Sequence, residues 1–355
     1  MNNERPRFHL TAPAGPCHAF ISNDQVQSLQ GLLQIIDQTL EGRFKLTANE
    51  PLFLATEHEI DGGRTDDQRR ADDIEEALAD PNTVAILALR GGAWLTRVLP
   101  RINFDVLNER STPVIVKGFS EITSLVNIVA GYDMGVGIYG NSPAFLPYGL
   151  RHHTRRQQAQ MEADNVSPRE WAKRHLIPEF KACITDLVSM VDRSDTIFNV
   201  SAELVSGSLE HGQEASFVGG NLTVFPALLG SMFRDRVPLE GHWLLLEDYN
   251  DRVSRLDRLL AHFTLDRAWD RCEGILLGDF HCELDDQTDA ILNCLRNHLP
   301  AEWNKPILRT KDIGHIYPMI PLPLQCPVRL QLHENDKVSL CWKAHQLSAT
   351  QPAGS

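Results

Sequence analysis

The sequence predicts an α/β protein, with a doubly wound, mostly parallel sheet in its N-terminal part and a second, smaller β-rich part after it. Three observations carry this. Short, continuously apolar, β-capable runs alternate with segments whose apolar residues recur at helical spacing, the signature of strands covered by helices on both faces. Beyond about residue 200 the β-like runs become shorter and more frequent. The length, 355 residues, suits about two domains at roughly 150 residues each.

In chain order, Phe8–Ala12 is a first strand that turns at Pro13-Ala-Gly-Pro16. Residues 23–40 place Val26, Leu29, Leu32, Leu33 and Ile36 on one helical face, and 66–79 form a charged helix with Ile74, Ala77 and Leu78 facing inward. Asp80-Pro81-Asn82 stops that helix. Val84–Leu89 is a fully apolar strand followed at once by Arg90-Gly91-Gly92, and Pro113–Lys117 is another, ending at Gly118-Phe119-Ser120 before a helix over 121–130. Residues 150–195 are long, charged and helical in pattern, with the basic run Arg151-His-His-Thr-Arg-Arg156 at their head, and read as a connector or lid. In the second half, β-like runs fall at 217–218, 242–246, 274–277, 328–332 and 338–342, with a helix at 251–263. The expected division is 7–149, 150–200 and 201–345.

Acidic residues number 47 against 34 Lys and Arg, a formal charge of −13. Affinity for a phosphate backbone or an anionic bilayer comes from Lys and Arg neutralisation, so neither nucleic acid nor membrane is expected as a partner. A small anionic ligand held by a few local arginines remains compatible. The apolar and charged fractions, 42% and 23%, are those of a soluble globular chain. The seven cysteines (Cys17, Cys183, Cys272, Cys282, Cys294, Cys326 and Cys341) are odd in number, scattered and without a C-x-x-C pair. That argues for reduced thiols rather than a disulfide frame or zinc ribbon. With no basic-then-apolar leader at Met1–Arg7, a cytoplasmic setting is expected.

Gly118-Phe119-Ser120 is the most informative spot. A serine between a strand and a helix sits on a tight turn, its hydroxyl exposed and the first N–H groups of the helix facing the same space. This is the logic of a nucleophile elbow, although a full G-x-S-x-G is absent because position 122 is Ile. Service as a plain helix N-cap fits the same position. A serine nucleophile needs a base and the base an orienting carboxylate. Glu247, at the end of the apolar run Trp243–Leu246, and His315, in a proline-flanked loop, are candidates in the order Ser, Glu, His. A surface acid and one of fourteen histidines are the plain alternatives. The pair Gly91-Gly92 would let backbone N–H groups approach a ligand, or simply turn the chain. Three motifs are set aside. Gly135-Val-Gly137-Ile-Tyr-Gly140 matches G-x-G-x-x-G but reads as a strand rather than a strand-to-helix turn. His281-Cys282-Glu283 lacks the P-C-x-x-C of zinc deaminases. His152-His153 lacks further ligands. No metal or cofactor is called for.

Taken together, the chain resembles the LD-carboxypeptidase family of serine peptidases, which also includes the microcin-immunity peptidases. The resemblance runs from about Phe8 to Trp342. It rests on Leu10-Thr-Ala-Pro-Ala-Gly-Pro16, Ala88-Leu-Arg-Gly-Gly92, Gly118-Phe-Ser-Glu-Ile-Thr-Ser-Leu125, Gly219-Gly-Asn-Leu222, Leu246-Glu-Asp248 with Arg252 and Asp257-Arg258, Gly274-Ile-Leu-Leu-Gly-Asp279, and Gly314-His315. It implies a flavodoxin-like N-terminal domain, a β-rich C-terminal domain, and a site between them, usually in a homodimer. It also implies a Ser120, Glu247 and His315 triad, with oxyanion donors on the backbone of Gly92 and Glu121. The implied substrate is a cytoplasmic murein tetrapeptide losing its terminal D-alanine in cell-wall recycling. Arg90, Gly91 and Trp94 are the nearest residues for binding it. Three departures stand out: Glu121 where the family has Asp, Ala93-Trp94 where it has Tyr-Gly, and a longer, more basic connector. They leave open a peptidyl- or aminoacyl-nucleotide amide as substrate, and a non-catalytic peptide-binding role on the same scaffold.

Overall fold

The computed structural model describes residues 5–15, 29–54, 66–143, 161–282 and 285–347. The expected start of the first helix, Cys17 and the basic run 151–156 lie outside them. Five strands, β1 (Arg7–Thr11), β2 (Lys45–Ala48), β3 (Thr83–Ala88), β4 (Val114–Gly118) and β5 (Gly135–Tyr139), are all parallel and lie in the order β2-β1-β3-β4-β5. That is the flavodoxin-like order, with its switch point between β1 and β3. β4 and β5 are buried at every residue, which is why they read as continuous apolar or glycine-rich runs instead of alternating ones. Helices α1 (Leu29–Thr39), α2 (Asp67–Ala79) and α3 (Thr123–Ala130) belong to this part. The segment Gly135–Tyr139 is indeed a strand, so its two glycines serve packing: side chains at 135 or 137 would run into the carbonyl oxygens of Val129 and Val126.

Helix α4 (Pro168–Val191), 24 residues long with Ser167 capping its start, carries the chain to the second sheet. That sheet holds β6 (Ile197–Ser206), β7 (Glu214–Ala215), β8 (Phe217–Asn221), β9 (Trp243–Tyr249), β10 (Gly274–Cys282), β11 (Asp285–Asp286), β12 (Ile307–Thr310), β14 (Val328–Leu332) and β15 (Lys337–Lys343). The sequence leaves β6 and β12 unannounced and β6 starts before residue 201, because Asn199 and Ser201 on its outward face are polar and exposed. The sheet is mixed: β8, β9, β10 and β12 run parallel, and β6, β14 and β15 pair antiparallel. Helices α5 (Val253–Leu265) and α6 (Thr288–His298) accompany its parallel half, α6 packing on β10. One short strand, β13 (Leu322–Pro323), returns to pair antiparallel with β5 in the first sheet. No helix among the described residues is long and apolar enough to cross a membrane.

The two sheets are stitched where the site lies. Buried Asn127 on α3 donates from Nδ2 to the Gly219 carbonyl (2.8 Å) and accepts from the Gly219 N–H at Oδ1 (2.9 Å). Its Nδ2 also donates to Thr123 O at 2.7 Å. One amide thus satisfies a β8 peptide that would otherwise be buried unpaired, a state costing about 1–3 kcal/mol per group. Asn127→Ala is expected to lower unfolding free energy by about 2–4 kcal/mol, read from the midpoint of urea denaturation; a loss under half of that would show the stitch to be dispensable.

Candidate active site

The site forms where loops at the carboxyl ends of β3 and β4 meet β9 and the loop after β12. β4 ends in Gly118, and the chain turns so sharply that Ser120 takes φ 59°, a left-handed conformation unusual for a side chain with a Cβ. Ser120 therefore starts a 3-10 turn (Ser120–Ile122), with α3 following from Thr123 rather than from 121. Its side chain makes no capping bond; the residue at the cap position is Phe119, which has none either. The turn is held by Thr123 Oγ1, which donates to the Ser120 carbonyl (2.6 Å), and by the Ser120 N–H, which donates to the Tyr139 hydroxyl (3.3 Å). A side chain at Gly118 would strike Ile122, 2.5 Å away, so the turn requires glycine there.

The glycine loop after β3 presses on this turn. A Cβ at Gly91 would stand 2.8 Å from Ser120 Cβ, 3.0 Å from its Oγ and 3.4 Å from the Glu121 nitrogen. Gly92, at φ 138°, lies against Ala14 in the loop after β1. Arg90 is half-buried and its Nε donates to the Gly91 carbonyl at 3.1 Å. Trp94, half-buried at φ 70°, precedes the short helix Leu95–Val98. The Glu121 side chain has a use that sequence did not suggest: its Oε1 accepts the Leu95 N–H at 2.9 Å. The longer carboxylate caps that short helix and leaves the Glu121 backbone N–H beside Ser120.

Glu247 lies inside β9, two residues before its end, and its side chain is 0% exposed. A lone buried carboxylate is costly, and this one is surrounded by donors. Oε2 contacts His315 Nδ1 at 2.8 Å, while Oε1 accepts from the Tyr139 hydroxyl at 2.6 Å and from Asn221 Nδ2 at 3.3 Å. Tyr139, fully buried, thus joins the Ser120 backbone to the Glu247 carboxylate; burial and the Glu247 charge push its hydroxyl well above the ordinary phenol range. It fits only because residue 220 is Gly, where a Cβ would meet the Tyr139 ring at 2.6 Å. Sequence reasoning missed Tyr139 and gave Asn221 no role. The visible signal was a tyrosine closing a buried strand at the level of Gly118, with which it pairs.

The His315 ring is sandwiched by Tyr249, stacked at 5.1 Å between centroids, and by Phe119 at 5.0 Å, the residue before Ser120. Its loop is admitted by Gly278, where a side chain would collide with the Ile313 carbonyl and Glu247, and by Gly314 against Asp279. Burial alone would lower the imidazole pKa. Glu247, by charge and hydrogen bond, outweighs this with help from Asp248 and Asp279, and the pKa stands above the ordinary value. Asp248 is itself pushed up to about 7 by burial and the Glu247 charge. Among the described residues no hydrogen bond joins the Ser120 hydroxyl to the imidazole, and no cluster of three or more His, Cys, Asp or Glu side chains could hold a metal ion. Such a serine-to-imidazole bond is often long before substrate arrives.

Two linked α/β halves thus bring a carboxylate-bound histidine beside a strained serine turn, and relatives of the chain are hydrolases. The chain belongs to the LD-carboxypeptidase family: the model of the family's N-terminal domain matches residues 9–140 and that of its C-terminal domain 214–330. The probable murein peptide carboxypeptidase of Bacillus subtilis is 26% identical over 277 residues, covering 77% of this chain and 76% of its own. The microcin C7 self-immunity protein MccF of Escherichia coli is 24% identical over 302 residues, 78% of this chain and 81% of its own. Among solved structures, a MccF-like protein from Bacillus anthracis superposes with a TM-score of 0.63 over 95% of this chain and 97% of its own, at 19% identity. The muramoyltetrapeptide carboxypeptidase of Oxalobacter formigenes gives 0.60 over 94% and 97%, also at 19%.

The imidazole should titrate above ordinary histidine in a pH series followed by NMR. Asp248→Asn removes one negative neighbour that favours the imidazolium, so the His315 midpoint should fall in that variant. An unchanged or raised midpoint would show that Asp248 does not act on the ring.

Proposed function

We propose that the protein is a serine carboxypeptidase that hydrolyses the L,D-peptide bond of a murein tetrapeptide and releases its terminal D-alanine. The observation that carries this reading is the 2.8 Å contact of His315 Nδ1 with the fully buried Glu247 carboxylate, on a ring packed beside the Ser120 turn. A carboxylate on Nδ1 leaves Nε2 as the basic nitrogen and supports the imidazolium once it forms.

In this reading Ser120 Oγ attacks the scissile carbonyl while His315 Nε2 takes its proton. The N–H groups of Gly92 and Glu121 receive the oxyanion; the Ser120 N–H is already committed to Tyr139. The imidazolium then protonates the leaving amine of D-alanine. Water, activated by the same nitrogen, cleaves the acyl-enzyme and restores Ser120. Arg90 and the backbone at Gly91 are the groups for the substrate's free carboxylate, and Trp94 offers a flat apolar wall. The residue-by-residue match to the family's motifs supports these roles, as do the relatives named as murein peptide carboxypeptidases. Hydrolysis of this kind requires no metal. A cytoplasmic location and a homodimer, common in the family, complete the proposal, with a small peptide as partner in place of nucleic acid or membrane.

A second reading is favoured by the longer match to MccF and by Trp94, whose indole beside the glycine loop could stack on a base. Purified protein and Ser120→Ala, each given murein tetrapeptide and an aminoacyl-nucleotide amide, separate the two. D-alanine release that falls by at least about 10⁴-fold in the variant supports the first, and cleavage of the nucleotide alone supports the second. Equal inertness of both proteins on both substrates would leave a peptide-binding role. Gly91→Ala places a methyl within 3.0 Å of Ser120 Oγ and is expected to lower kcat/KM by about 10²-fold with the melting temperature nearly unchanged; a fully active variant would refute the geometry assigned to the glycine loop.

A further inference from the structure

We propose that Lys117 and Cys183 form a peroxide-dependent covalent bridge, nitrogen to oxygen to sulfur, that fastens α4 to β4. Lys117 is three residues ahead of Ser120 and only 1% exposed, an unusual place for a lysine. Its Nζ has two hydrogen-bond partners among the described residues, the sulfur of Cys183 at 2.8 Å and the carbonyl oxygen of the same residue at 3.2 Å. For a bond to oxygen 2.8 Å is ordinary; sulfur is much larger, so here the two atoms are pressed together. One ionic neighbour is Asp186, one turn along α4, whose carboxyl is raised by burial and drawn back by the Lys117 charge.

The other described cysteines do not share this setting. Burial pushes the Cys272 and Cys326 thiols up to about 12, which keeps them from becoming nucleophilic thiolates. Lys305 reaches the carbonyl oxygen of Cys272 rather than its sulfur. Cys183 is only part-buried, so a small oxidant can reach it, while among the described residues its sulfur hydrogen-bonds to Lys117 and, at 3.7 Å, to the Asn141 carbonyl. A direct S–N bond would require the two atoms to close well inside their present separation in a packed interior. One oxygen inserted between them spans the gap with little movement.

The chemistry balances with hydrogen peroxide as oxidant. The sulfur attacks one peroxide, its O–O bond breaks, and sulfenic acid and water form. The Lys117 nitrogen, after losing a proton from the ammonium, attacks a second peroxide and becomes a hydroxylamine, releasing a second water. The hydroxylamine oxygen then attacks the sulfenyl sulfur, whose S–OH bond breaks, and the hydroxide leaves as water with the hydroxylamine O–H proton. Sulfur and nitrogen each give up two electrons. Two peroxides become three waters, one proton is released, and the protein gains one oxygen and loses two hydrogens.

The bridge would fix the helix that joins the two sheets to the strand leading into the Ser120 turn, and α4 also holds the His315 loop, since the Tyr317 hydroxyl donates to the Leu176 carbonyl at 3.1 Å. This inference does not depend on the substrate. The test is intact mass and peptide mapping of the full chain after hydrogen peroxide and then dithiothreitol. The expected product gains one oxygen and loses two hydrogens, joins the peptides carrying Lys117 and Cys183, and reverts with the thiol. Linking positions 66 apart should also raise the melting temperature by about 5 °C through loop-closure entropy, in the wild type but not in Cys183→Ser. Oxygen gained at Cys183 without a linked peptide, loss of two hydrogens without oxygen, or no change would each overturn the proposal. Should Cys183→Ser fail to fold, the wild-type peptide map decides alone.

Discussion

A carboxylate with no solvent at all, Glu247, is the constraint around which both halves are arranged. Burying an isolated charge costs several kcal/mol even after relaxation, and the cost is met only when donors converge from elsewhere. They come from three separate elements: Tyr139 on β5 of the first sheet, Asn221 on β8 of the second, and His315 on the loop after β12. None is near Glu247 in sequence. The two sheets must therefore dock in one register for the charge to be tolerated, and in that register the Ser120 turn, the imidazole and the glycine loop come together. Gly220 and Gly278 are where backbone gives way for this: one admits the Tyr139 ring, the other the His315 loop.

The same network stabilises a backbone that would otherwise relax. Ser120 sits in the left-handed region, which costs of order 1–3 kcal/mol and persists only where the surroundings over-determine it. Thr123 fixes its carbonyl and Tyr139 its N–H, and Thr123 Oγ1 in turn accepts the Asn221 N–H at 3.0 Å. Each bond that holds the strained turn is thus shared with a group that holds the carboxylate or the second sheet. Loosening one end would be felt at the other, so turn and carboxylate behave as one unit.

Much of this is written locally in the chain. β1, β3 and β4 show as apolar runs because parallel strands are covered on both faces, and Ser120 stands out because a serine at a strand-to-helix junction has few conformations open to it. What stayed hidden is non-local. Tyr139 belongs to a glycine-spaced segment whose pattern suggests packing, and only the docking of β8 shows what its hydroxyl touches. Glu247 reads as the tip of its strand because Glu-Asp after four apolar residues resembles a chain emerging into solvent; in fact Asp248 is buried as well, and the strand continues because β8 and β10 enclose it. β6 escaped notice for a related reason, since exposed Asn199 and Ser201 break the apolar run by which strands are recognised, and β12 is only four residues long. The basic stretch at 151–156 carries no such test, since it lies outside the described residues.

The charge balance acquires a location. Three acidic side chains, Glu247, Asp248 and Asp279, act on one imidazole, so the wall behind His315 is negative in a protein that is already at −13. Whole-molecule steering would repel an anionic peptide. Its carboxylates would have to be met by local donors, and the glycine loop, with Arg90 at its start, lies beside the Ser120 turn. In the proposed reaction the carboxylate next to the leaving amine would come close to His315, so a local cation such as Arg90 would have to offset the acids there.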